Sequence, residues 1–210
     1  MKHALAAALA ALGLFATPAR AQVFGQFVPA DPLPVNGHMF GGYLHASESV
    51  VGLLAQLRMS FYPNMDFGFH GGLTRVDLAG SDKTTLRVGT DLKVQVARVD
   101  QGLPVDIAIG GALSLENGDD FNVLSLGPSI IASRPLNAGG TALVPYGSVG
   151  LFYSSLDIGT RDATDVAFPI RLGAEFRVAS EFRIIGELQL LLEDEFNDDI
   201  GFVTGVNLPF

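Results

Sequence analysis

Apolar and polar residues alternate one by one through most of the chain. Over residues 166–178, Val166, Phe168, Ile170, Leu172, Ala174, Phe176 and Val178 share one face, and Ala167, Pro169, Arg171, Gly173, Glu175 and Arg177 share the other. A period of two over that length is the mark of a β-strand with one apolar and one polar face. Residues 86–96 repeat it, with Leu86, Val88, Leu92, Val94 and Val96 set against Arg87, Gly89, Asp91, Lys93 and Gln95. Residues 51–61, 105–115, 182–192 and 200–210 behave alike, Leu54 being a blemish on the polar side of the first. Residues 38–46, 67–77, 122–133 and 142–156 read as weaker strands. Short breakers separate them, such as Pro63-Asn64-Met65-Asp66, Asn117-Gly118-Asp119 and Asn137-Ala138-Gly139-Gly140, which suit turns. The pattern predicts an all-β, up-and-down antiparallel meander of about ten strands, with eight or twelve as alternatives.

Two segments fall outside this pattern. Residues 1–21 read as a signal peptide: Lys2 and His3 lead an apolar run over 4–16, too short to cross a bilayer, and Ala19-Arg20-Ala21 supplies small residues at the cleavage positions. Residues 22–37, with Pro29, Pro32 and Pro34, read as a proline-rich N-terminal extension before the first strand. The remaining 38–210 form one domain.

Composition removes several kinds of chemistry. The 210 residues include no Cys and no Trp, so a disulfide framework, a zinc–thiolate site and a cysteine nucleophile are excluded. The net charge of −9 opposes binding to nucleic-acid phosphates, and no cofactor motif is present. Without Lys2 and Arg20, 11 basic residues face 22 acidic ones, a net charge of −11. Mean hydropathy is positive although no long apolar run occurs after residue 16.

The two faces decide which way round such a barrel stands. The polar faces combine mid-strand charges with glycines such as Gly52, Gly89, Gly110, Gly173, Gly201 and Gly205, which suits a crowded interior. The apolar faces carry larger side chains, which suits lipid. The last strand alternates to its final residue, with Val206, Leu208 and Phe210 on its apolar face. In leader, alternation and terminal phenylalanine the chain resembles the small outer-membrane β-barrel proteins of Gram-negative bacteria. That resemblance implies a transmembrane β-barrel in the outer membrane. It also implies contact with outer-membrane lipid and lipopolysaccharide, and Val206, Leu208 and Phe210 as a signal to the assembly machinery. Pro209 and the absence of Trp depart from the pattern. Phe61, Tyr62, Phe67, Phe69, Phe152, Tyr153, Phe168 and Phe176 are the expected substitutes in the aromatic girdles. The opposite reading is a secreted lipocalin-like carrier with its apolar face inside.

Candidate chemistry lies in three places. Inward-facing Arg58, Arg87, Lys93, Arg171, Arg177 and Arg183 are matched in number by Asp91, Asp106, Glu116, Glu175, Glu187 and Glu193. Balanced charges inside a narrow barrel suit a salt-bridged filling or, alternatively, the lining of a narrow passive solute path. Five loops at the rim away from Phe210 carry most of the negative charge, led by Glu193, Asp194, Glu195, Asp198 and Asp199. Such a rim would draw divalent cations that bridge to lipopolysaccharide phosphates, a weak metal site at best. Finally, His45-Ala46-Ser47 resembles the His-x-Ser pair of outer-membrane lipid A deacylases, although here it lies in the first strand and not late in the chain. A lipid-modifying hydrolase is therefore the alternative to a non-enzymatic structural or surface barrel.

Overall fold

The computed structural model describes residues 26–47, 50–78, 81–118, 122–138, 141–158, 161–193 and 199–210. The strands are β1 (His38–Ser47), β2 (Val50–Tyr62), β3 (Met65–Leu78), β4 (Ser81–Ala97), β5 (Asp106–Asn117), β6 (Asn122–Ser133), β7 (Leu136–Ala138), β8 (Thr141–Gly150), β9 (Phe152–Ile158), β10 (Arg161–Ala179), β11 (Phe182–Glu193) and β12 (Asp199–Pro209). A single 3₁₀ turn, Val99–Gln101, links β4 to β5 among the described residues. All pairings are antiparallel, between neighbours in sequence except that β6 and β10 each pair with both β8 and β9, and β1 closes the sheet on β12 with Tyr43 opposite Gly205.

The barrel has ten staves, the number the alternation predicts, because β8 and β9 form one stave interrupted at Leu151. The register of β6 runs unbroken past the gap, from Ser129 opposite Gly150 to Leu126 opposite Tyr153. The interruption has a local cause. Pro128 and Pro169 lie opposite this point on the flanking strands, and proline has no N–H to return to the ladder. The Leu151 N–H still reaches the Pro128 carbonyl at 3.1 Å. The three-residue β7 is a short arm on the start of β8.

The apolar face points outward. Leu44, Leu53, Leu73, Leu86, Leu172, Phe202 and many similar side chains are exposed around the wall, while charged and hydroxyl side chains are buried within it. An apolar belt of this extent is unfavourable in water and favourable against acyl chains. Closure matters for the same reason, since an open sheet edge would leave backbone groups unpaired in lipid. A lipocalin-like carrier has the reverse arrangement, so that reading is set aside.

Phe61, Tyr62, Phe69, Tyr153, Phe168 and Phe176 lie on the outside, as expected of girdle residues, and Phe61 stands beside Phe67 with ring centres 6.3 Å apart. Phe152 does not join them. It sits on the inward parity of its stave and is buried. Leu54 is also inward and buried, where it belongs to an interior apolar cluster.

Candidate functional site: the barrel interior

Of the extension before β1 the structure describes residues 26–37, which reach into the barrel. Residues 26–33 run inside it and are largely buried, Ala30 completely. The chain then turns at the rim that carries Phe210. There the Asn36 N–H donates to the Ser60 carbonyl at 2.7 Å and the Gly37 N–H to the Pro34 carbonyl at 2.8 Å. Asn36 takes a positive φ of 63° to make that reversal, a conformation asparagine tolerates better than most residues. His38 and Phe210 then exchange backbone hydrogen bonds of 3.2 and 2.9 Å, and their rings stack.

Side chains of the wall hold the segment. Lys93 Nζ donates to the carbonyls of Pro29 at 2.7 Å and Asp31 at 2.9 Å. Arg177 Nη2 donates to Asp31 Oδ2 at 2.7 Å. Asn207 Nδ2 donates to the Phe27 carbonyl at 3.2 Å, and Ser133 Oγ accepts from the Ala30 N–H at 3.0 Å. Phe27 packs in an apolar belt made by Tyr43, Leu54, Tyr146, Ile185 and Val203, its ring centre 4.4 Å from that of Tyr43. These residues come from five staves, so the belt crosses the bore at mid-height and Phe27 stands in it. Between the segment and the rim turns lies a cavity of about 590 Å³ lined in part by Pro32, Leu33, Pro63, Arg98 and Asp106.

Around the segment the charges are paired. Arg58, fully buried, directs Nε to Asp66 Oδ1 at 3.1 Å, Nη1 to Asp91 Oδ2 at 3.0 Å and Nη2 to Asp91 Oδ1 at 2.8 Å, with a further short contact between Nη2 and Asp66. His70 Nε2 lies 2.7 Å from Asp91 Oδ2, and Lys93 Nζ 3.3 Å from Asp66 Oδ2. A second cluster centres on Glu175. Its Oε1 accepts from Arg177 at 2.9 Å and Arg183 at 3.3 Å, and its Oε2 from Asn207 at 3.3 Å. Glu187 accepts from the Tyr146 hydroxyl at 2.7 Å and from Gln189 at 2.6 Å. Arg171, also buried, stands opposite Gln189 in the register. Nearer the far rim, Arg87 Nε lies 2.8 Å from Glu116 Oε2, and Thr85 donates to Glu116 Oε1 at 2.7 Å. Asp106 accepts from the Val99 N–H at 2.8 Å and so ties the 3₁₀ turn to the wall.

Glycines make this packing possible. A Cβ on Gly68 would collide with Asp91 and lie 2.6 Å from Arg58 Nη1, and one on Gly173 would collide with the Tyr146 ring. Buried charges that lose their water must be paired and hydrogen-bonded to be tolerated, and a glycine opposite them lets the pair close.

Several interior residues carry no signal in the candidate set drawn from the sequence: Asp66, His70, Tyr43, Tyr146, Gln56 and Asn207. Asp66 reads as a turn residue next to Pro63-Asn64, yet it begins the inward parity Asp66, Gly68, His70, Thr74. His45 and Ser47 do share a face, and it is the interior one. His45 is buried, and Ser47 Oγ accepts from the Val50 N–H at 3.2 Å. The pair therefore does not face acyl chains. Of the acidic rim, residues 194–198, including Asp194, Glu195 and Asp198, lie outside the described residues, as do the side chains of Glu193 and Asp199. Glu116 and Asp165, toward the same rim, are buried in the wall. Among the described residues no group of three His, Asp or Glu side chains stands close enough to hold a metal ion.

No protein-family model matches the chain, and no curated protein matches it in sequence. Solved structures do resemble it. A bacterial polysaccharide outer-membrane secretin superposes with a TM-score of 0.50 at 14% identity, over 85% of this chain and 66% of that one. This chain thus spans just under two thirds of the secretin's length. The β domain of a Bordetella autotransporter superposes with a TM-score of 0.52 at 13% identity, over 84% of this chain and 100% of that one. With its closed sheet and apolar belt, the chain has the fold of the bacterial outer-membrane β-barrels.

Proposed function

We propose that this protein is a non-enzymatic outer-membrane barrel that rests closed, serving as a structural and surface element. The observation that carries this reading is the occupied interior: residues 26–33 stand in the bore with Phe27 in its apolar belt, and paired charges surround them. An eight-stranded barrel has room for little beyond its own wall side chains, and a ten-stranded one has somewhat more. Here the additional room is taken by the chain's own N-terminal segment. The inward direction of His45 and Ser47 speaks for a non-enzymatic role, because a lipid-modifying hydrolase needs its base and nucleophile where an acyl chain can reach them. The partners of this reading are membrane lipid and lipopolysaccharide around the wall and far rim, and the assembly machinery at the Val206, Leu208 and Phe210 end. Planar-bilayer recording of the purified barrel tests it. The expected trace at low voltage is flat apart from rare brief events, and a steady ohmic current through the wild type would overturn the reading.

A further inference from the structure

We infer that residues 26–33 are a removable plug, and that their withdrawal opens a narrow path preferring small anions. The inference rests on the closed resting state proposed above and adds a second state to it.

Attachment differs in kind between the plug and the wall. The staves are held by continuous ladders, each made of many backbone hydrogen bonds. The polar ties of residues 26–33 to the wall each use a side chain at one end, Gln26 reaching the Leu92 carbonyl and the others ending on wall side chains. Pro29 and Pro32 have no N–H and suit the segment poorly to any ladder. It is joined to β1 through the turn at Asn36 and Gly37, and the cavity of about 590 Å³ beside it at the Phe210 rim gives it room to move. The wall does not depend on it, since all ten staves pair without it.

The size and charge of the vacated path follow from what leaves. An extended chain occupies roughly 5 by 10 Å in cross-section, the spacings of strands within and between sheets. A bore of that size passes small hydrophilic solutes but no folded protein. The apolar belt then loses the ring that fills it, and a wetted constriction replaces a dry one. Asp31 carries the segment's one formal charge. When it departs, Arg177 loses a carboxylate and Lys93 loses two carbonyl acceptors, while no acidic side chain loses a cation. The path becomes more positive by one unit, with two cations turned toward it, and small carboxylates and inorganic anions are the solutes it favours.

The experiment uses the full-length barrel in planar bilayers under a salt gradient. One variant, Phe27→Ala with Asp31→Asn, loosens the plug. A second, Ala30→Cys with Ser133→Cys, can lock it, because these would be the chain's only thiols and Ala30 N lies 3.0 Å from Ser133 Oγ. The loosened barrel is expected to stay open at least tenfold longer than wild type, with a reversal potential on the anion side. Combined with the cysteine pair, it should fall silent on oxidation and reopen with dithiothreitol. A loosened barrel that shows the heat-modifiable mobility of a folded one yet stays silent would overturn the inference. So would steps that oxidation does not change, or a cation preference. If the loosened variant does not fold, the cysteine pair alone carries the test: its rare openings must vanish on oxidation and return on reduction, and equal openings in both states overturn the plug. A wild type that conducts steadily refutes the closed resting state, whereas the oxidised-to-reduced ratio reports on the plug alone.

Discussion

Replacing Arg58 by methionine asks whether the barrel interior is dry. Arg58 is fully buried, and three of its nitrogens face two carboxylates, at 3.1 Å to Asp66 and at 3.0 and 2.8 Å to Asp91. Methionine keeps much of the side-chain volume and removes the charge. Asp66 retains Lys93 at 3.3 Å and Asp91 retains His70 at 2.7 Å, so neither carboxylate is wholly abandoned. Each nevertheless loses a fully buried guanidinium that faces it at hydrogen-bond distance. Breaking a buried pair from one side costs ~3–5 kcal/mol, which at ~1.4 kcal/mol per tenfold lowers the folding equilibrium by a factor of about a hundred to a few thousand. Urea titration of the barrel in liposomes, scored by heat-modifiable mobility, measures this. A double-mutant cycle with Asp91→Asn isolates the pair, and the double variant is expected to cost less than the two single ones added together. In a water-filled bore the pair would be screened and worth ~0.2–1 kcal/mol. A loss within that smaller range, with additive single effects, would refute the dry interior and the closed resting state with it.

Gly173→Ala is expected to destabilise the barrel, because its Cβ would strike the Tyr146 ring and displace a hydroxyl bound to Glu187, whereas Gly186→Ala, with nothing within 4 Å, serves as the unperturbed control in the same titration. Leu172→Arg places a cation on the lipid face one residue from the natural interior Arg171, and should cost ~2–4 kcal/mol near the bilayer midplane; a neutral result would mean that the belt does not face lipid. Phe210→Ala should leave the purified barrel about as stable, since the ring is 72% exposed, while lowering the folded fraction recovered from outer membranes if assembly reads that residue. Equal recovery would remove the assembly role.

How far these features were legible in the chain depends on the period of two. Alternation reports only which residues share a face. That was enough to mark ten staves, to put Arg58, Arg87, Asp91, Lys93, Arg171, Glu175 and Glu187 on one face and Leu86, Leu172 and Phe202 on the other, and to take residues 142–156 as one strand where proline neighbours interrupt the ladder. It fails where hydrophobicity and parity disagree. Leu54 and Phe152 are apolar but stand on inward positions, and parity prevails because a one-residue slip would turn every other side chain of the stave to the wrong side. Their apolar character then has a local use: Leu54 is part of the belt around Phe27. Asp66 was lost to its neighbours, since Pro63-Asn64 makes a turn so plausible that the first inward residue after it reads as loop.

The position of residues 26–33 was not legible for a different reason. A segment with two prolines and no alternation carries no register, and nothing in its own residues says which side of a wall it lies on. The clue was in the wall. A barrel of this width, with glycines at Gly41, Gly68, Gly110 and Gly173 on its inner face, has too little side-chain volume to fill itself, yet the charges on that face are buried and paired. Some of those glycines are occupied from the wall, as Gly68 is by Arg58 and Asp91 and Gly173 by Tyr146. Gly110 is occupied from outside the wall: a Cβ there would lie 2.8 Å from the side chain of Gln26, whose Nε2 donates to the Leu92 carbonyl at 3.2 Å. The mismatch between a glycine-lined wall and an interior whose charges are buried is the trace a plug leaves in a sequence. It can be read only after the strands have been counted, because the volume to be filled depends on their number.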